Sequence, residues 1–129
     1  MQINILKYFY QRIMKTVIRG VDDLVFRLQI ERADGTEFLL SDFDSFDVAV
    51  FTTDAATCYI VESEFIDADD NLIRVPADRL LLNDDAVRSY LQDGFIRFII
   101  TTELTDAKFP DGENTESNIV ATNFFLKTI

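Results

Sequence analysis

Hydrophobic and polar positions change their rhythm along the chain. From residue 24 the period is two: Leu24, Phe26, Leu28 and Ile30 alternate with Val25, Arg27, Gln29 and Glu31, the pattern of a half-buried strand with one wet face. Asp34-Gly35 follows, a strong short-range hairpin signal, so residues 37–40 are expected to return antiparallel. Residues 41–45 read as a loop. Phe46, Val48 and Val50 then open a third strand whose second face, with Ala49 and Phe51, is also partly apolar. Residues 57–66 form a fourth, with Cys58 and Ile60 on one face and Tyr59 and Val61 on the other. The acidic turn 67–71 leads into a strand over 72–75 that Pro76 ends, because proline has no N–H for the ladder. Asn83-Asp84-Asp85 is helix-start chemistry and predicts one short helix around 84–92, with Gly94 where a helix terminates. Strands over 95–102 and 119–128 close the series, separated by a polar loop over 105–118 with a turn at Pro110-Asp111-Gly112. About seven strands with regular turn signals predict an all-β fold, an antiparallel sandwich of immunoglobulin-like or jelly-roll type.

The first nineteen residues keep a different rhythm. Ile3, Leu6, Tyr10, Ile13 and Val17 recur at spacings of three and four, the stripe of an amphipathic helix. The segment carries Lys7, Arg12, Lys15 and Arg19 and no acid. The whole chain has 12 basic and 23 acidic groups, a net charge of −11, so residues 20–129 hold 8 basic against 23 acidic groups, or −15. This divides the chain into a basic helical arm, 1–19, and an acidic sandwich domain, 20–129. The stripe either packs on its own domain or, with Lys7, Arg12 and Lys15, docks on a partner or on copies of the chain as a homo-oligomer such as a trimer. Removing it is expected to leave a folded sandwich.

Composition narrows the chemistry. Val, Ile, Leu and Phe make up 46 of 129 residues, enough for a substantial core. Histidine is absent and Cys58 is the single cysteine, which excludes imidazole-based nucleophile pairs, imidazole metal ligands, internal disulfides and Cys-x-x-Cys sites. The four glycines are too scattered to cradle a phosphate. An anionic body repels phosphate backbones, so no nucleic-acid partner is expected, and no run of about 18 apolar residues predicts a membrane helix. Lys7 and Arg12 interrupt any signal-peptide core, which points to synthesis in a cytoplasm.

Oxygen chemistry is what remains. Asp67-x-Asp69-x-Asn71 matches the first three ligands of a calcium loop, but position six is Leu72 in place of glycine and the twelfth is Asp78 in place of glutamate, so these residues are expected to cap a turn. Asp42, Asp44 and Asp47, or Glu62 and Glu64, could in principle pair as acid and base. Surface solvation is the expected role for both sets, and neither cofactor nor enzymatic activity is predicted. Twelve phenylalanines and four tyrosines exceed the needs of one small core. Phe43, Phe46, Phe51, Phe109 and Phe125 fall beside loops or on second strand faces, where an interface would use them.

A likeness can be attached to particular residues. The alternating strand ending in Glu31-Arg32-Ala33-Asp34-Gly35, the strand Phe46-Asp47-Val48-Ala49-Val50, the segment Leu72-Ile73-Arg74-Val75-Pro76-Ala77 and Asp93-Gly94-Phe95-Ile96-Arg97-Phe98 resemble the small β-sandwich adaptor modules of tailed-phage virions, such as the N-terminal domain of the baseplate upper protein. The resemblance spans residues 22 to about 128 and implies a docking scaffold without catalysis. Its partners would be other virion proteins and its location the virion. A soluble sandwich that binds carbohydrate or peptide through aromatic loop residues is the other expectation.

Overall fold

The computed structural model describes residues 2–5, 15–31, 34–80, 91–105 and 113–128. Among the described residues, ten strands form two five-stranded sheets. β1 (Gln2–Ile5), β3 (Leu24–Glu31), β8 (Leu72–Val75) and β7 (Ile66–Asp67) lie in that order in the first sheet, and β4 (Glu37–Phe38) also pairs with β3. The second sheet runs β2 (Lys15–Ile18), β10 (Glu113–Lys127), β9 (Gly94–Thr105), β5 (Ser45–Phe51), β6 (Tyr59–Ile60). Among the described residues all pairings are antiparallel except β2 with β10. Among the described residues the only helices are short 3-10 turns, none long enough to cross a membrane.

Alternation builds the core. Leu24, Phe26, Leu28 and Ile30 of β3 and Ile96, Phe98 and Ile100 of β9 are buried in one cluster with Val48, Val50, Ile73, Val75, Val120 and Leu126. Phe26 and Phe98 meet across the two sheets at 3.8 Å between ring centroids. β10 gains two residues relative to β9 between the pairs Ala121–Arg97 and Phe125–Phe95. An even insertion leaves the inward set unchanged, so Val120 and Leu126 both face the core. Thr122 secures the irregularity, its Oγ1 donating to the Ile96 carbonyl (2.7 Å) and accepting from the Phe124 N–H (3.0 Å).

The N-terminal arm differs from its predicted helix. Residues 2–5 and 15–18 are strands, the first antiparallel to β3 and the second parallel to β10, and Ile3 and Val17 are buried in the common core. Lys15 is exposed, its Nζ 5.8 Å from the Phe124 ring centroid. A separation of fourteen residues suits an inward pair on two strands as well as on a helix, and the β-branched run Thr16-Val17-Ile18 favours the sheet. Leu6, Lys7, Tyr10, Arg12 and Ile13 lie outside the described residues, as do residues 81–90, where most of the short helix was expected.

The segment expected as one strand over 57–66 divides. Tyr59–Ile60 pairs with β5, a 3-10 turn occupies Ser63–Phe65, and Ile66–Asp67 joins the other sheet against β8. Tyr59 and Val61 are buried and Ile60 is exposed, as the alternation predicts. The polar stretch expected as a loop over 105–118 is strand from Glu113, because β10 extends the hairpin with β9 as far as Thr105.

Candidate interaction surface

The two sheets differ on the sides turned away from the core. On the first, polar and charged side chains pair with each other: Arg27 with Asp70 at 2.7 Å and Arg74 with Asp23 at 3.1 Å. The Asp23 carboxyl also accepts the Ala77 N–H, and this bond, with Arg74, lowers its pKa.

On the second sheet the register places apolar residues side by side. Ile60 opposes Ala49, Ala49 opposes Ile99, and Ile99 opposes Ile119, one row crossing four strands. Ile60 and Ile119 are 56% and 66% exposed, values that mark them as surface residues despite their chemistry. The next row holds Phe51, Arg97 and Ala121, and beyond it Phe95 meets Phe125 edge-on at 5.2 Å. Ala49 and Phe51 are buried, yet they stand outside the core cluster, on the outer side of β5. Toward the other end the face becomes polar and its groups satisfy one another: Thr101 and Ser117 share a hydrogen bond of 3.0 Å, and Ser45 donates to Glu103 at 3.0 Å. The surface is thus an apolar band, exposed at Ile60, Phe95 and Ile119 and already covered at Ala49 and Phe51, bordered by a hydrogen-bonded polar strip. Apolar exposure rimmed by polar groups marks an interaction site.

The phenylalanines expected at an interface are distributed differently. Phe43 and Phe51 are buried and Phe46 packs against the core from a half-buried position. Phe125 is on the apolar band, and Phe109 lies outside the described residues. Ile60, Phe95, Ile99 and Ile119 carry the band, and sequence reasoning did not single them out. Their signal was present in the outward positions of strands 57–66, 95–102 and 119–128, but only the pairing register reveals that they align.

Of the residues expected to cap this turn, Asp67 does so: its Oδ1 accepts the Asp69 N–H, while Asn71 turns inward at φ 52°. Asn71 Oδ1 accepts the Leu40 N–H (2.6 Å), its Nδ2 donates to the Phe38 carbonyl (3.0 Å) and its own carbonyl accepts the Leu28 N–H (2.9 Å). These bonds commit Asn71 to the backbone, away from any ligand set with Asp67 and Asp69. No metal-holding group of three or more acidic or cysteine side chains occurs among the described residues. Asp42 accepts the Leu39 N–H, and Asp44 accepts the N–H and hydroxyl of Thr105. Glu62 accepts the buried Tyr59 hydroxyl and pairs with Arg79 at 3.3 Å; burial first, then Glu62, raises the Tyr59 pKa. Glu62 and Glu64 border and enter a 3-10 turn instead of sharing a strand face.

Arg19, expected as one cation of a basic arm, is a buried clamp. It donates to the Leu80 carbonyl (2.8 Å), the Leu91 carbonyl (2.5 Å), Thr128 Oγ1 (3.1 Å) and Asp93 Oδ1 (2.9 Å). The Thr128 N–H, then Arg19, hold the Asp93 carboxyl down at about 2. An open groove of about 450 Å³ runs beside β3 and β4 between Arg27, Glu37, Phe38, Leu39 and Asp70. Compared with known proteins, the chain matches no family model, no curated protein and no solved structure.

Proposed function

We propose that this chain is a non-enzymatic structural protein of a tailed-bacteriophage virion, a capsid-auxiliary, head-fibre or tail/baseplate adaptor, that assembles by pressing the apolar face of its second sheet against neighbouring virion proteins or copies of itself. The row Ile60-Ala49-Ile99-Ile119 carries the docking part of this reading. The phage part rests on the sequence resemblance. The turn and surface acids support a scaffold role, since Asp42, Asp44, Asp67, Asp70 and Asp93 are engaged as caps and ion pairs.

The finer fold is part of the same proposal. Strand order β1-β3-β8-β7 follows the A-B-E-D order of immunoglobulin-like sandwiches, and β10-β9-β5-β6 follows G-F-C-C′, with β2 added beside the last strand. That order favours the immunoglobulin-like reading over the jelly roll. The groove beside β3 and β4 favours the second reading, a carbohydrate- or peptide-binding module, because its volume falls in the range of ligand sites.

The deciding experiment compares free and assembled protein. With Cys58→Ser as background, Ile119→Cys should react with a maleimide in the free protein at about 10 nM, where pairs of copies dissociate, and be protected in native particles. Recovery from native material as free protein, with position 119 reactive throughout, overturns the proposal. Glycan-array binding abolished by Phe38→Ala would favour the groove.

A further inference from the structure

We infer that the apolar face takes a second copy of this chain, the two stacked face to face about a two-fold axis along the row Ile60-Ala49-Ile99-Ile119. This deepens the docking reading above and rests on it. Charge is the first argument. The molecule carries −11, yet the charged residues at the described outward strand positions of this face are Arg97 and Lys127 against Asp47, Glu103 and Glu113, a net of −1. Two copies therefore repel least where these faces meet.

Register is the second. A two-fold along the row stacks it on itself and reverses the strands, so the Arg97 row of one copy lies over the Asp47-Thr101-Ser117 row of the other. Arg97 then reaches Asp47 of the second copy, and the contact occurs twice. Within one chain these residues stand four strand positions apart along the face, about 13 Å, too far to pair. The same operation sets Ile99 against Ile99 and buries both exposed isoleucines.

Area is the third. Four strands and four rows span about 500 Å² of sheet per copy, but Ala49 and Phe51 are already covered and β6 adds only Ile60, so a pair buries less than about 1,000 Å², the size of a weak, transient interface. A dissociation constant of about micromolar order fits that size.

Sedimentation equilibrium of the full chain tests the inference. The protein should form dimers at concentrations up to about 100 µM, and Ile119→Asp, folded by circular dichroism, should be monomeric throughout. Arg97→Asp should weaken the dimer about tenfold, and adding Asp47→Arg should restore it, since the swapped charges meet only between copies. A wild-type monomer over this range, or an Arg97→Asp effect that Asp47→Arg does not rescue, overturns the inference. If the wild type is monomeric while Ile119→Cys is protected in particles, the second copy is excluded and the docking reading stands. If position 119 is reactive in both settings, both fail.

Discussion

Asn71 holds the joint where β8 and β4 share one edge of β3. β8 pairs with residues 24–27 and β4 with Ile30 and Glu31, and Asn71 fills the interval with one backbone and two side-chain bonds. Asn71→Asp preserves the shape but sets a carboxylate against the Phe38 carbonyl, so it should cost about 1–3 kcal/mol in urea unfolding. The sequence made Asn71 visible as a turn residue, because turn chemistry is local. Its inward bonds were not legible, since their partners lie 31 and 33 residues away. Arg19 is the stronger case: its acceptors come from 61 to 109 residues off, and no nearby pattern announces burial. The Asp93 carboxyl bound to it titrates near 2 in the fold against 3.8 ordinarily. A depressed carboxylate stabilises the fold above the unfolded pKa and loses that contribution as pH falls through the folded one. Asp93→Asn should therefore be less stable than wild type by a constant amount above about pH 5, with the gap closing between about pH 4 and 2. Thermal melts across that range check it, and a gap independent of pH would contradict the assignment.

The strands that alternate cleanly, β3, β8 and most of β9, were legible because one face is wet and the other dry, and the period survives any tertiary arrangement. The strands that were not legible are the ones that change sheets. β1 and β2 belong to opposite sheets and carry four residues each, too few for a period to show. β6 and β7, two residues each, lie in different sheets on either side of a 3-10 turn. This placement changes what truncation should do. Deleting residues 1–19 was expected to leave a folded sandwich, but it removes a partner strand from each sheet, the buried Ile3 and Val17, and the Arg19 clamp. The combined loss is about 5 kcal/mol or more, comparable to the total stability of a small domain. The truncated protein should melt at least about 10 °C below wild type or fail to fold, as read by far-UV circular dichroism. A truncated chain that melts with the wild type would mean that β1 and β2 contribute little to the two sheets.

Across the whole molecule, the sequence presents a +4 arm against a −15 body, which suggests two bodies that attract. The structure draws the two together, because Arg19 is spent internally and Lys15 stands at the edge of the second sheet. What remains is an anionic particle with one nearly neutral, apolar face, and this makes the salt dependence of its self-association a diagnostic. Two bodies of −11 repel at long range, and raising salt from 0.1 to 1 M shortens the screening length from about 10 Å to about 3 Å. The same salt weakens the Arg97–Asp47 contacts between copies, but exposed pairs contribute only about 1 kcal/mol or less each. Burial of the isoleucine row is indifferent to screening. Relief of repulsion should therefore win, and the dissociation constant should fall several-fold over that range in sedimentation equilibrium. A constant that rises steeply with salt would mean that ionic contacts hold the copies together, and that the row Ile60-Ala49-Ile99-Ile119 is not what they share.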